Sequence, residues 1–100
     1  MTEGKKFDTD KLDYSLMPWR AVDEVVKVLM FGANTKGYGR NNWKMLKSPR
    51  RRYTSAAYRH LNEIAEGNWL DAESGLPHAA HAICCLLFLL WFGDIEDEGN

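Results

Sequence analysis

The sequence predicts an all-α domain, a small antiparallel bundle of three main helices. Apolar side chains recur at steps of three and four residues between positions 22 and 30, which is typical of an amphipathic helix. Two later segments each begin at a proline, Pro49 and Pro77, and each is followed by a glycine, Gly67 and Gly93. One hundred residues suffice for one domain, so we expect residues 1–100 to form a single helical unit.

Composition excludes several classes of protein. Apolar residues make up 45% of the chain and the net charge is −1, so no overall field attracts nucleic acid or a membrane surface. The N-terminus is polar, and the apolar run at 79–92 is too short for a membrane span of roughly 20 residues. Cys84 and Cys85 are adjacent and are expected to be buried, reduced thiols. We therefore expect a soluble, cytoplasmic protein.

The first helix is expected to begin near Met17 after an irregular arm, residues 1–14. Ser15 is a plausible cap, Pro18 suits the first turn, and Gly32 is expected to end the helix. Its apolar stripe is formed by Val22, Val25, Val26, Leu29 and Met30.

Glycine and asparagine are frequent in the segment that follows, which predicts a structured loop at 32–47. Cations, amides and aromatic rings on such a backbone suit a phosphorylated ligand that contains a base. The alternative is a surface connection in which Tyr38 and Trp43 cover the core. The residues of the loop with this chemistry are Lys36, Tyr38, Arg40, Asn42 and Trp43.

The second helix is predicted at 49–66, with Ser48 as its cap and Gly67 as its stop. Tyr53 and His60 lie on its inward stripe. Three arginines, at 50–52, fall in the first turn, where positive charge opposes the helix dipole, so a bound anion would relieve the mismatch. A solvated basic end is the alternative. Lys44 to Arg59 contains six cations and no acid, which marks a local anion-binding surface.

The third helix is predicted at 77–92 and is apolar on all sides. A three-helix monomer can hardly cover such a helix, so we expect it to form the interface of a homo-oligomer. The acidic tail, 94–100, is expected to be loose.

Two pairs of polar side chains at helical spacing mark the candidate chemical centre. His60 and Glu63 are three residues apart on the second helix, as are His78 and His81 on the third, so each pair shares one face. With Asp71 nearby, these side chains suit a divalent metal; the alternative is a set of hydrogen-bonded polar groups at helix ends. No cofactor is certain. Ser74 lacks a nucleophile-elbow context, and no phosphate-binding loop or specific DNA-reading motif is present.

Several motifs together resemble a known family. They are FGA followed by YG and NW, RY followed by RHL, and D-x-ESGLPH-x-x-HA, within residues 4–91. This order is similar to small phage and prophage proteins that resemble the N-terminal region of dATP/dGTP diphosphohydrolases. The resemblance implies an all-α protein of viral origin that handles a purine nucleotide. It assigns to the family pattern residues 31–33, Tyr38, Asn42, Trp43, Arg52, Tyr53, Arg59, His60, Asp71, Ser74, His78 and His81.

The resemblance leaves catalysis open. All-α nucleotide pyrophosphohydrolases hold magnesium with Glu-x-x-Glu and Glu-x-x-Asp pairs, whereas this chain carries histidine at three of the four comparable positions. Magnesium prefers oxygen ligands, so either the metal differs or the protein binds nucleotides without cleaving them.

Three functions follow as hypotheses. The first is a nucleotide-binding protein that sequesters a purine nucleotide or a nucleotide immune signal in a basic pocket between subunits. The second is a metal-dependent dATP/dGTP pyrophosphohydrolase that releases nucleoside monophosphate and pyrophosphate. The third is a structural helical oligomer. Ligand contacts are predicted for Lys36, Tyr38, Arg40, Asn42, Trp43, Arg52, Tyr53, Arg59 and Ser74, and a metal or polar centre for His60, Glu63, Asp71, His78 and His81.

Overall fold

A computed structural model of the protein describes residue 4 and residues 9–98, and the predicted all-α class is confirmed. The main helices are α1 (Trp19–Met30), α2 (Pro49–Ala65) and α3 (His78–Phe92). Three single turns accompany them: two 3₁₀ turns, Tyr14–Leu16 and Asn42–Met45, and a π-helical turn, Phe31–Thr35. Half of the predicted N-terminal arm, residues 1–3 and 5–8, lies outside the described residues.

The start of α1 differs from the prediction. Ser15 belongs to a separate 3₁₀ turn, in which its backbone N–H donates to the Asp13 carboxylate at 3.1 Å. Met17 is extended (ψ 129°) because a residue before proline is disfavoured in the helical region. Helix α1 therefore begins at Trp19, with Pro18 in the cap position.

Gly32 does not end the helical path as predicted. The chain continues through the π-helical turn, in which the Lys36 N–H donates to the Phe31 carbonyl five residues back at 3.0 Å. The backbone at Gly32 is not left-handed, and the first glycine with positive φ is Gly37, at 72°. The path therefore turns away only after Thr35.

The bounds of α2 and α3 lie within one residue of the predictions. Pro49 is the first residue of α2, while Ser48 adopts a left-handed conformation (φ 52°) and its side chain makes no cap bond. Gly67 follows with φ 91° and ends the helical path. Helix α3 begins at His78 and is followed by Gly93.

Helices α2 and α3 form an antiparallel hairpin, on which α1 packs through α3. Contacts at both ends of the hairpin set its direction: His60 late in α2 meets His78 at the start of α3, and Arg50 at the start of α2 meets Asp94 after α3. Between α1 and α3, the buried core consists of Val25, Val28, Ala80 and Cys84. At the other end of α3, Trp43 stacks on Phe88 with ring centroids 4.5 Å apart.

The acidic tail, which was expected to be loose, contacts the basic start of α2. The Asp97 carboxylate accepts hydrogen bonds from the backbone N–H groups of Arg50 and Arg51 at 2.8 and 2.7 Å. Asp94 pairs with the Arg50 guanidinium at 3.3 Å. Since Ser48 supplies no cap, the tail provides the anion that the first turn of α2 favours.

The core is thin for a chain of this size, since no large side chain among the described residues is fully buried. Ile83, Leu86, Leu87 and Leu90 form an exposed stripe along α3, and Leu90 is 79% exposed. The predicted subunit interface on α3 stays a prediction. Within the described part of the chain, no helix combines the length and the apolar character that crossing a bilayer requires.

Candidate functional site

Three histidines from two helices form one cluster where α2 and α3 meet. The Nδ1 atoms of His60 and His78 lie 2.9 Å apart, and the rings of His60 and His81 stack with centroids 4.8 Å apart. One Nδ1 atom of the first pair must carry a hydrogen and the other must accept it. The helical spacing predicted the pair on α3, but only the hairpin brings His60 against both.

Asp71 joins this cluster from the connection between α2 and α3. Its Oδ1 accepts hydrogen bonds from the backbone N–H groups of Glu73 and Ser74 at 3.0 and 2.8 Å, which fix the carboxylate. The same oxygen lies 4.0 Å from Nε2 of His81. An isolated antiparallel bridge between Leu70 and Pro77 holds the two ends of this turn together.

Glu63, which is three residues from His60 on α2, also lies close to His78 of α3. Its Oε2 is 4.0 Å from Nε2 of His78, and the Asn68 amide donates to the same oxygen at 2.9 Å. Asn68 was not predicted as a site residue. No sequence signal pointed to it, because its role depends on the turn that follows Gly67.

The environment of His60 and His81 favours their neutral imidazole forms. Burial, followed by the charges of His81 and His78, lowers the pKa of His60. Burial also lowers the pKa of His81, although Asp71 acts in the opposite direction. For Asp71, burial acts to raise the pKa, but hydrogen bonds from Ser74 and Glu73 together with His81 outweigh it, so the pKa lies below its ordinary value. His60 and His81 are therefore neutral nitrogen donors beside the Asp71 carboxylate.

Ser74 faces His81 and lines neither of the two cavities described below. Its Oγ is 2.7 Å from Nε2 of His81 and accepts a hydrogen bond from the Leu76 N–H at 3.1 Å. These contacts give Ser74 the role of a turn residue that orients His81. The predicted ligand contact of Ser74 stays a prediction.

His60 lies between two cavities. One, of about 900 Å³, is lined by His60, Glu63, Asp71, His78 and Arg59 among others, and we call it the histidine cavity. The other, of about 740 Å³, opens between α2, α3 and the loop after α1. We call it the basic cleft. Both volumes are in the range of small-molecule sites, roughly 300 to 1,000 Å³.

Seven of the nine predicted ligand residues line the basic cleft. The exceptions are Ser74 and Arg59, whose guanidinium donates to Ser55 Oγ at 3.0 Å and borders the histidine cavity. Glu73, Cys84, Cys85 and Phe88 also line the cleft and were not predicted for it. The seven are Lys36, Tyr38, Arg40, Asn42, Trp43, Arg52 and Tyr53.

The cations of the basic cleft are not equivalent. Lys36 pairs with Glu73 at 3.0 Å, and hydrogen bonds to Glu73 and Tyr38 raise its pKa. Arg40 and Arg52 are exposed and form no ion pair with any residue that the structure describes. An incoming anion would therefore meet two available guanidinium groups and one lysine that is already paired.

The aromatic residues of the cleft divide into two kinds. Trp43 is half-buried, with Phe88 stacked on its ring and Trp91 against it at a centroid distance of 5.0 Å. Tyr53 donates to the Trp43 carbonyl at 2.8 Å, and burial followed by Cys85 raises its pKa to about 12. Tyr38 is 55% exposed, so its ring is the one available to a base.

Comparison with known proteins gives a family for this arrangement. The family model described as "dATP/dGTP diphosphohydrolase, N-terminal" matches residues 1–99. A dATP/dGTP diphosphohydrolase of Salmonella phage PMBT28 is 43% identical over 88 residues, which cover 88% of this chain and 29% of that protein. The chain thus spans less than a third of the length of the curated relative.

No solved structure matches the chain. The resemblance inferred from FGA, RHL and ESGLPH is confirmed by the family match over nearly every residue. The chain belongs to the family of dATP/dGTP diphosphohydrolase N-terminal domains.

Proposed function

We propose that this protein binds a purine nucleotide in the basic cleft and holds it without cleaving it. The observation that carries the proposal is the convergence of Arg40, Arg52 and Tyr38 on one cleft of about 740 Å³. The name of the phage relative, a dATP/dGTP diphosphohydrolase, supports a purine deoxynucleotide as the ligand class.

Each group has a chemical role in this proposal. Arg40 and Arg52 bind phosphate oxygens through bidentate hydrogen bonds. Lys36 leaves its ion pair with Glu73 and pairs with a phosphate as the ligand enters. The exposed Tyr38 ring stacks on the base, while the Asn42 amide offers a donor and an acceptor to its edge. Trp43 shapes the wall of the cleft.

The shortage of acids supports binding without hydrolysis. Around the histidine cluster, the described residues supply Glu63, Asp71 and Glu73, and two of these are engaged with Asn68 and Lys36. A magnesium site that positions a triphosphate needs several oxygen ligands. A phage-type protein that binds a nucleotide and does not cleave it is suited to sequester a nucleotide immune signal in the cytoplasm of an infected bacterium.

We further propose that residues 1–100 act as one domain that assembles into a homo-oligomer. The exposed stripe of Ile83, Leu86, Leu87 and Leu90 supports α3 as the contact surface. Burial of this stripe would remove several large apolar side chains from water, each worth about 1.5 to 3 kcal/mol when fully buried.

The second candidate is a metal-dependent dATP/dGTP pyrophosphohydrolase. The identity of 43% to the phage diphosphohydrolase favours it. A divalent metal in the histidine cluster would supply Lewis-acid chemistry, with Arg52 and Arg59 neutralising charge on the phosphates. The matched segment is 29% of that relative, so the activity in its name need not reside in this segment.

Titration calorimetry with dGTP and dATP tests the binding proposal, and analysis of each mixture for pyrophosphate separates the two candidates. We expect binding without product, with Arg52→Ala at least tenfold weaker. Arg51→Ala is the matched control, because Arg51 is adjacent and lies outside the cleft.

Equal affinity in Arg52→Ala and in the unmodified protein would place the nucleotide elsewhere. Pyrophosphate release with Mg²⁺, Mn²⁺, Co²⁺ or Zn²⁺ would support the hydrolase instead. Retention of a nucleotide messenger from lysates of infected cells would support sequestration of an immune signal. Binding of dGTP or dATP without retention of any messenger would argue against that purpose, although not against nucleotide binding.

A further inference from the structure

Three side chains of the histidine cluster have donor atoms close enough together to hold a metal ion. One donor atom each from His60, Asp71 and His78 lies within 4.8 Å of the other two. Two are imidazole nitrogens and one is a carboxylate oxygen, a set that suits Zn²⁺, Co²⁺ or another borderline divalent ion better than magnesium. His78 is buried, and His60 and Asp71 are half-buried.

The distance between the two imidazoles is close to that of a metal-bound pair. With bonds of about 2.0 Å and a tetrahedral angle, two nitrogens on one zinc ion lie about 3.3 Å apart. The Nδ1 atoms of His60 and His78 are 2.9 Å apart, so an ion would replace the hydrogen between them after a small separation of the rings. Since the three donor atoms lie within 4.8 Å of one another, the Asp71 oxygen and the two rings would approach one another by up to about 1.5 Å to reach the spacing of a metal-bound set.

Contacts behind the donors support this assignment. If His78 binds through Nδ1, its Nε2–H points toward Glu63, whose Oε2 lies at 4.0 Å. Metal-binding histidines usually direct their second nitrogen at a carboxylate, and Asn68 holds this one at 2.9 Å. Backbone N–H groups bind Oδ1 of Asp71, which orients the carboxylate.

His81 differs from the other two histidines. Its Nε2 is occupied by Ser74 Oγ at 2.7 Å, and it does not belong to the group of converging donors. The histidine cavity borders His60, Asp71 and His78 but not His81. An ion held by these three residues would therefore keep an open coordination position on the side of the cavity.

We propose that His60, Asp71 and His78 form a site for one transition-metal ion of the zinc class, with Glu63 and Asn68 as its supporting contacts and with water or a phosphate oxygen from the histidine cavity as a further ligand. Glu63 and His81, which the sequence pattern included among the ligands, are not direct ligands in this assignment. The site does not depend on nucleotide binding in the basic cleft.

The test measures metal binding by the chelator-stripped full chain. Zn²⁺ is titrated by calorimetry, metal content is measured by mass spectrometry after dialysis, and the Co²⁺ form is examined for the visible absorption of a tetrahedral or five-coordinate ion. We expect one ion per chain, at least tenfold weaker binding in His60→Ala, His78→Ala and Asp71→Asn, and weaker binding in Glu63→Gln.

Two variants serve as matched controls: His81→Gln removes a histidine of the same cluster, and Glu73→Gln removes a carboxylate two residues from Asp71. Both are expected to retain one ion, and circular dichroism of every variant verifies that it is folded. No stoichiometric Zn²⁺ in the unmodified protein would overturn the proposal. So would unchanged binding in folded His60→Ala, or a loss in His81→Gln as large as that in His60→Ala.

Discussion

The Nδ1 atoms of His60 and His78 lie 2.9 Å apart and join the late part of α2 to the first residue of α3. The contact places His60 on the boundary between the histidine cavity and the basic cleft, since it lines both. A ligand in either cavity therefore borders the same side chain. This arrangement gives the hairpin a polar centre at one end and an aromatic cluster around Trp43 and Phe88 at the other.

Replacement of Tyr38 by alanine should affect nucleotide binding, whereas replacement of Trp43 should affect stability. Tyr38 is exposed, so we expect Tyr38→Ala to weaken nucleotide binding and to leave the free energy of unfolding nearly unchanged. Trp43 packs on Phe88, so Trp43→Ala should lower the free energy of unfolding by roughly 2 to 4 kcal/mol. Calorimetric titration with dGTP and urea unfolding measure the two quantities. A loss of affinity in a Trp43→Phe variant alone, with Tyr38→Ala unaffected, would contradict the assignment of Tyr38 as the stacking residue.

Acidification should destabilise the metal-free protein. The pKa values of His60 and His81 lie below the ordinary 6.5, chiefly because of burial. The unfolded chain therefore binds more protons than the folded chain once the pH falls below about 6.5. The stability that these neutral rings contribute is complete above that pH and is lost as the pH falls through their folded pKa values. Thermal melts between pH 7.5 and 5 in the presence of a chelator should show a falling Tm.

A double variant, His60→Gln with His81→Gln, is the control for this pH dependence. Its Tm should change less over the same interval, because glutamine does not titrate. An equal fall in the double variant would assign the pH dependence to other groups.

Removal of the Asp97 carboxylate should weaken α2. Asp97 accepts from the backbone N–H groups of Arg50 and Arg51, so Asp97→Ala should lower the free energy of unfolding by about 0.5 to 1 kcal/mol. Glu96→Ala is a suitable control, since Glu96 is an exposed neighbour in the same tail. Urea unfolding at low and high salt measures both effects. Equal stability of the two variants would show that the tail does not cap α2 in solution.

The exposed stripe of α3 should govern assembly. We expect Leu90→Glu to shift the protein from an oligomer to a monomer of 11.5 kDa in light scattering, because a charge would face the apolar interface. Leu12→Glu is the matched control, as Leu12 and Leu90 are both 79% exposed and only Leu90 lies on α3. A monomeric unmodified protein would rule out the interface, and so would an unchanged mass for Leu90→Glu.

Local sequence signals located the main elements because they act over a few residues. Pro49 and Gly67 bounded α2 to within one residue, and Gly93 marked the end of α3. The start of α1 was missed because Asp13 organises a separate turn before Pro18. The π-helical turn after α1 was missed because a glycine ends a helix only where its backbone turns left-handed, and Gly32 does not.

The sequence by itself determined the all-α class, the family and the residue types available to the site. Periodicity, capping residues and the ESGLPH motif are local properties, so they can be recognised in the sequence without knowledge of packing. Only the tertiary structure decided which of these residues meet. The hairpin separates Arg59 from the basic cleft, pairs Lys36 with Glu73 across 37 positions, and sets His78 rather than His81 against Nδ1 of His60. Such contacts depend on the relative placement of whole helices, which burial of apolar faces fixes and spacing along one helix does not encode.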